Sequence, residues 1–348
     1  MDSFGSFFCT IAAASFLLGL EHFLSLVIFT KKKGLDPIRN PRYGKWVLRN
    51  GVILLGASML LGIVVMSTNK LFGMYLSENS AGLLNVLALL GGILALGNIG
   101  NGRRLNTVSA EDVIRSSEKK PVLYLRSFLF DETKTDIGII GMGNFEQNLA
   151  QITDRVGPMI AIGKPGEKFA AMGAARVYVG DDEWKGKILE YIEKSQCVLW
   201  VYGDTEGLRW EISKLVKIID PTKLIICLPI WDLKQAQRDE MWAKFTKELS
   251  PTFAKPFPSQ LGPALFVHFR SDWTPLLVGV HTSWVVRIKT IKYRMFLARE
   301  GLKMVFAEKG LHYKIRPNWF IHLKFYRTLI FLLLFIFLVF ILPILLSI

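Results

Sequence analysis

Cysteine, histidine and acidic residues are all scarce in this chain. Three cysteines, Cys9, Cys197 and Cys227, are spread over 348 residues, and none belongs to a C-x-x-C pair. That spacing excludes a disulfide framework and a cysteine-based zinc site. The three thiols are expected to be buried, as free cysteine usually is. The 5 histidines are scattered, with no H-E-x-x-H and no serine–histidine–aspartate pattern, so neither a metal site nor a catalytic triad is assigned. No G-x-x-x-x-G-K-[ST] phosphate loop occurs. Acids number 29 against 43 lysines and arginines, which gives a formal net charge of +14.

Apolar sequence is abundant instead. The hydrophobic fraction is 51% and the mean hydropathy is +0.33, high for a soluble protein. Four stretches are apolar over roughly the 20 residues needed to cross a bilayer: 7–29, 51–68, 81–99 and 328–348. The first has no lysine or arginine before it and is too long for a signal-peptide core, so it reads as a membrane helix. Basic residues alternate between the connecting segments. The segment between the first two stretches carries seven (Lys31, Lys32, Lys33, Arg39, Arg42, Lys45, Arg49), and the next carries Lys70 opposite Glu78. "NGRR" follows the third stretch and "RPNWFIHLKFYR" precedes the fourth. This bias predicts a multi-pass protein of the inner (plasma) membrane, with the middle of the chain in the cytoplasm and both termini external. Tyr43, Trp46, Trp319 and Tyr326 stand where an interfacial aromatic belt is expected. Glu21 and His22 fall inside the first stretch, either as a functional pair or as groups satisfied within a helix bundle. The paired broken helices of transporters are absent.

The segment between the third and fourth stretches reads as a globular domain. Apolar runs without polar alternation, at 121–128, 158–163, 175–179, 197–203, 223–230 and 264–269, read as strands. Helical patterns at 144–157, 181–196, 208–220 and 233–249 separate most of them. Buried strands joined by helices predict an α/β fold: an open, doubly wound parallel sheet of flavodoxin-like kind, attached to a four-helix transmembrane unit. The domain organisation is then 1–102, three membrane helices with a basic cytoplasmic loop; 103–282, the α/β domain; 283–326, a basic juxtamembrane helix and linker; and 327–348, the last membrane helix. From Arg287 to Arg327 there are eleven basic and two acidic residues on an amphipathic pattern. That pattern suits either a helix lying on an anionic inner leaflet or one packing its apolar stripe on the domain. Positive-inside topology already accounts for the charge, so no nucleic-acid partner is expected.

In doubly wound folds, ligands bind at the carboxyl ends of strands, at the point where the winding reverses. Applied here, that rule selects Arg126 and Ser127, then Gly163, Lys164 and Pro165, then Asp204 and Glu206, with Glu211 just into the following helix. The glycine-rich 138–144 precedes a helix and could offer backbone N–H groups to phosphate, but it lacks the G-x-G-x-x-G order. Arg126 follows five residues of apolar strand and needs a partner, for which Asp131 and Glu211 are the candidates. A structural salt bridge and phosphate binding both remain open for it. Glu211 is either a site carboxylate or a solvated helical glutamate paired with Lys214. The strands ending near residues 128 and 203 are the ones expected to converge. Arg126, Ser127, Asp131, Asp204 and Glu211 would then line one cleft, with Trp210 as its wall and Glu211 ionised at neutral pH.

The "VLYLRSF" strand, the helix from Asn144, the "DDEWKGKILEYIEKSQCVLWVYG" block and "GLRWEISKL" resemble the Toll/interleukin-receptor (TIR) superfamily. The last block is similar to its nucleoside deoxyribosyltransferase relatives, with a glycine and then a glutamate at a strand-to-helix turn (Gly207, Glu211). The whole chain also resembles a family of bacterial membrane proteins carrying an "LRSF" strand and a "WE" helix. The resemblance covers about residues 121–230. It implies self-association or signalling through the TIR-like domain, with a nucleotide or NAD as ligand and no required cofactor. It also implies an alternative, a membrane-anchored N-glycosidase (NADase or nucleosidase) in which Glu211 acts at an anomeric carbon through an oxocarbenium-like state. Asp204 or Asp131 would bind ribose hydroxyls, and Phe128 or Trp210 would stack on a base. TIR NADases usually place the glutamate one helical turn after the tryptophan. Here Trp210 and Glu211 are adjacent and Lys214 stands one turn on, which favours the deoxyribosyltransferase-like alignment.

Overall fold

The computed structural model describes residues 17, 20, 36–71, 78–126, 145–163, 167, 169–180, 182–203, 205–228, 233–279 and 291–311. The apolar stretches 7–29 and 328–348 therefore lie outside the described residues, apart from positions 17 and 20, as do Cys9, Glu21 and His22.

Two long helices come first, α1 (Pro41–Leu71) and α2 (Glu78–Leu105). They pack along one another through small residues. A Cβ on Gly102 would sit 2.6 Å from the Leu48 nitrogen, and one on Gly44 2.8 Å from the Gly102 carbonyl oxygen. Further along, Gly51 faces Ile99 and Gly91 faces Ser58. Glycine at a helix crossing lets the backbones approach closely, the means by which helices associate where burial in water supplies no drive. The outward faces stay apolar: Val52, Ile53, Met59, Val86, Leu89, Leu90 and Ile93 are each 42–66% exposed. One helical stretch, Leu84–Leu105, is long and apolar enough to cross a membrane among the described residues. Its 22 residues span about 33 Å. The two ends of the hairpin meet, because the Asn40 N–H donates to the Leu105 carbonyl at 3.0 Å. Val47 and Leu105 are buried there beneath Ile38, Tyr43, Trp46 and Phe169.

A short helix, α3 (Ala110–Ser116), capped by the Ser109 hydroxyl on the Asp112 N–H, leads into the α/β domain. The order is then β1 (Val122–Leu125), α4 (Phe145–Thr153), β2 (Met159–Ile162), β3 (Ala175–Val177), α5 (Trp184–Lys194), β4 (Cys197–Val201), α6 (Glu206–Ile218), β5 (Leu224–Cys227), α7 (Gln235–Leu249), β6 (Ala264–Phe269), β7 (Pro275–Gly279) and α8 (Ile291–Glu308). The strands form one seven-stranded sheet in the order β3-β2-β1-β4-β5-β6-β7. The α/β class is as the sequence predicts, and β1, β2, β4 and β5 are buried at every residue. The sheet is parallel only from β3 to β5; β6 and β7 run antiparallel.

The sequence reading misses β7. "PLLVG" opens on a proline and is only half-buried, so neither an apolar run nor a polar alternation marks it. It returns beside β6 through a short turn, in which Asp272 accepts from the Thr274 N–H and pairs with Lys255. An aromatic layer covers this side of the sheet. Phe245 of α7 meets Trp242, Tyr202 and Phe257, while Phe253 and Trp273 pack on Phe269. Cys197 and Cys227 are buried free thiols, as expected, and burial pushes the Cys197 thiol up to about 12. In α8, Ala298, Leu302, Val305 and Phe306 are buried and the helix packs on β6, β7 and α4. Over these residues the amphipathic stripe covers the domain, the second of the two roles open to it from sequence.

The glycine contact generates a test. Gly102→Val inserts a branched side chain where a Cβ alone already meets the Leu48 backbone, and overpacking of this kind costs about 1–3 kcal/mol. The variant in detergent is expected to unfold at a lower temperature than the parent. Gly92→Val, at a position with open space around its Cβ, is expected to be close to neutral.

Candidate functional site

Winding reverses between β1 and β4. From β1 the chain moves outward to β2 and β3; from β4 it moves the other way, to β5. These are the two neighbouring strands picked from sequence, and a crevice at their carboxyl ends is where such folds bind ligands. Of the residues predicted for it, Arg126, Trp210 and Glu211 are described. Ser127, Phe128, Asp131 and Asp204 lie outside the described residues.

Arg126 leaves β1 and donates from Nε to Oε2 of Glu146, on the first turn of α4, at 2.9 Å. The same carboxylate takes Nη2 of Arg176, from β3, at 2.7 Å on each oxygen. It also accepts the Ala174 N–H at 2.9 Å. Arg176 is 1% exposed and its Nη1 donates to the Ala171 carbonyl at 2.8 Å. Two guanidiniums thus share one buried carboxylate. Removing one partner from such a cluster typically costs about 3–5 kcal/mol. Gly173 is required beside it: its φ is +131°, and a Cβ would stand 2.7 Å from Glu146 Oε1. The cluster also reaches the helical hairpin. Arg39, just before α1, donates to the Arg176 carbonyl at 2.9 Å and lies 5.7 Å from the Tyr178 ring centre.

Glu211 is in different surroundings. It sits in the second turn of α6, which the Thr205 hydroxyl caps by accepting from the Leu208 N–H. The side chain is 9% exposed and its Oε2 has no hydrogen-bond partner. Burial alone pushes its carboxyl up to about 8. Two expectations are corrected here. Glu211 is not a solvated glutamate paired with Lys214, because its neighbours on α6, Leu208, Ile212 and Leu215, carry it into the buried face. Nor does it rest as a compensated carboxylate: among the described residues no cation offsets its burial, which favours the neutral form at neutral pH. The partner found for Arg126 is Glu146, not Glu211. Topology explains why the two groups stay apart. Right-handed crossovers that leave β1 and β4 in opposite directions put α4 and α6 on opposite faces of the sheet.

Trp210, adjacent to Glu211, points elsewhere, as adjacent helical residues must. Its ring meets Trp184, the first residue of α5, edge to face at 5.1 Å. Lys185 Nζ lies 5.2 Å from the Trp210 ring centre and 5.6 Å from that of Trp184. Both tryptophans are half-buried. Each stands near the start of a helix that follows a strand, so the pair belongs to the carboxyl-end rim. Sequence reasoning selected Trp210 but missed Trp184, Glu146 and Arg176. Arg176 shows the same signal that singled out Arg126, a charge inside an apolar strand. Glu146 and Trp184 show none. Among the described residues no three His, Cys, Asp or Glu side chains gather as a metal requires.

The buried Glu211 carboxyl has a measurable consequence. Its folded-state value is raised from 4.5 to about 8, so the folded state keeps a proton that the unfolded state releases in between. Stability is therefore intact below about pH 4.5 and falls as pH rises to about 8. Glu211→Gln fixes the neutral form. Thermal unfolding of the detergent-solubilised chain should place variant and parent close together at pH 5. By pH 8 the variant should be the more stable, by on the order of a few kcal/mol. A parent that is the more stable of the two at pH 8 would mean that Glu211 is ionised and paired.

Comparison of the chain with protein-family models, with curated proteins and with solved structures gave no match.

Proposed function

We propose that this chain is a multi-pass membrane protein whose cytoplasmic TIR-like α/β domain binds a nucleotide, or a protein partner, at the β1/β4 crevice and signals to its membrane helices. The observation that carries the ligand half is the rim itself. A half-buried tryptophan pair capped by Lys185 stands at the reversal point, beside a buried carboxyl that lacks a hydrogen-bond partner. A planar base can stack on such rings, and a lysine beside them suits an attached phosphate. A neutral Glu211 is a hydrogen-bond donor rather than a counter-charge.

The membrane half rests on the hairpin. Its outward faces are apolar, its crossing is built on glycine, and its two ends meet on the side of the α/β domain. Six basic residues ring that end (Arg39, Arg42, Lys45, Arg49, Arg103, Arg104), with Tyr43 stacked on Trp46. This is the arrangement expected of a hairpin that crosses the inner membrane, keeps its base against an anionic cytoplasmic leaflet and turns around 72–77 outside. The apolar stretches 7–29 and 328–348 are, on this reading, two further membrane spans, with both termini external.

A second reading, a membrane-anchored N-glycosidase centred on Glu211, draws on the burial of that carboxyl, but the topology separates it from Arg126, which that reading needs in the same cleft. In that case Glu211 works as a proton donor to the leaving base, because a carboxyl held neutral is suited to general acid catalysis and not to nucleophilic attack.

Two experiments test these readings. Thermal unfolding of the purified full chain is run with NAD, ATP and adenosine while the ligands are followed by chromatography. The binding reading expects at least one nucleotide to raise the unfolding temperature without being consumed, and Trp184→Ala or Trp210→Ala to remove the shift. Release of free base that stops in Glu211→Gln would replace binding with catalysis, and no shift with any compound would leave the protein-partner half alone. For topology, reporter fusions at residue 75 and at the C-terminus should read external, and one at residue 180 internal. An external reading at 180 would overturn the orientation.

A further inference from the structure

The far side of the domain holds a polar contact that neither the ligand nor the membrane reading uses. Helix α8 lies on β6, with Gly301 against the Phe266 ring, where a Cβ would stand 2.7 Å away. The helix stops at Gly310, whose φ of +67° allows the Leu311 N–H to return to the Phe306 carbonyl at 2.9 Å. Beyond Leu311 the chain continues to the apolar stretch 328–348. Among the described residues, the last turn of α8 is thus the final fastening of the domain before that stretch.

Two side chains of this turn reach the body of the domain. Lys309 Nζ donates to the Thr222 carbonyl in the short helical turn Pro221–Lys223. Glu308 Oε2 lies 2.8 Å from Nε2 of His268, a buried residue of β6. The charged and titratable groups facing this spot are few. They are Glu308 and Lys309 from α8, Asp220 and Lys223 from the turn before β5, and the Cys197 thiol at the start of β4. Glu308 is half-exposed, so His268 feels a partly buried ammonium with one partly solvated carboxylate to offset it.

We propose that His268, Glu308 and Lys309 form a proton-sensitive latch that fastens the last turn of α8 to the sheet and loosens on acidification. The balance of charges sets the direction. A proton on His268 puts a second cation in a pocket that already holds Lys309, and opening the turn returns both to water. Burial first, and Lys309 second, hold the imidazole below its ordinary 6.5, with Glu308 opposing them. Burial likewise lowers the Lys309 ammonium to about 8. A base whose value is depressed when docked binds a proton more readily when released. Docking therefore weakens as pH falls through 6.5, and it strengthens again as pH rises from about 8.

Amide hydrogen exchange of the full chain in detergent, corrected for the intrinsic pH dependence of exchange, reads this directly over residues 302–311. The latch predicts protection that falls below pH 6.5 by up to about tenfold per pH unit, the limit for one coupled proton. Protection of β1 and β4 should stay level over the same range. His268→Gln should flatten the acid limb. Glu308→Gln, at a half-exposed position that tolerates replacement, should deepen it, because the imidazole then loses the carboxylate that lies against it. Protection of 302–311 that is flat from pH 5 to 7.5 overturns the latch. So does an acid loss that persists in His268→Gln, or one that Glu308→Gln leaves unchanged. None of these outcomes depends on whether the crevice binds a nucleotide.

Discussion

The Glu146 carboxylate, shared between Arg126 and Arg176, is the contact on which the carboxyl-end half of the domain depends. It ties the start of α4 to the end of β1 and to β3, the outermost strand, and through Ala174 to the turn that precedes β3. Burying three charges is unfavourable unless each finds several hydrogen bonds, and here the carboxylate accepts from two guanidiniums and a backbone N–H. The same Arg176 offers its carbonyl to Arg39 at the foot of the hairpin. A single ion cluster therefore sets the position of α4 and links the sheet edge to the residues entering α1.

Two glutamates near the carboxyl ends of the sheet meet opposite fates. Glu146 lies among cations and is fully hydrogen-bonded. Glu211, on the other side of the sheet, shares the buried face of its helix with Leu208, Ile212 and Leu215, and burial acts on it unopposed. The distinction decides what each can do. A carboxylate locked between two arginines serves structure. A carboxyl buried away from cations is held neutral instead.

Much of this architecture was legible in the chain. The six apolar runs marked six strands because strands covered on both faces carry no polar alternation. The "CVLWVYG" run followed by a helical pattern located the β4–α6 corner to within a few residues. The half-exposed β7 was hidden, since its burial comes from pairing with β6 and not from its own composition. Arg126 was recognisable as a charge needing a partner, but the partner was not. Glu146 lies 20 residues away, on a helix whose placement depends on the handedness of the crossover. Glu211 was singled out by position, while its protonation depended on which face of the sheet its helix covers. Sequence spacing does not record that.

The meeting of Asn40 with Leu105 has a mechanical consequence. A domain joined to a membrane helix by one covalent link can swivel about that link, and strain entering one side dissipates as rotation. Here the chain leaving α2 is hydrogen-bonded to the residue entering α1, and Arg39, one residue earlier, grips the sheet edge. The foot of the hairpin is therefore closed on itself, and it meets the β3 edge through Arg39 and, just past α2, through the Ser109–Arg176 bridge, two points that define an axis and resist torsion about it. A tilt of the two helices would be delivered to β3 as a lever movement rather than absorbed by a loose joint.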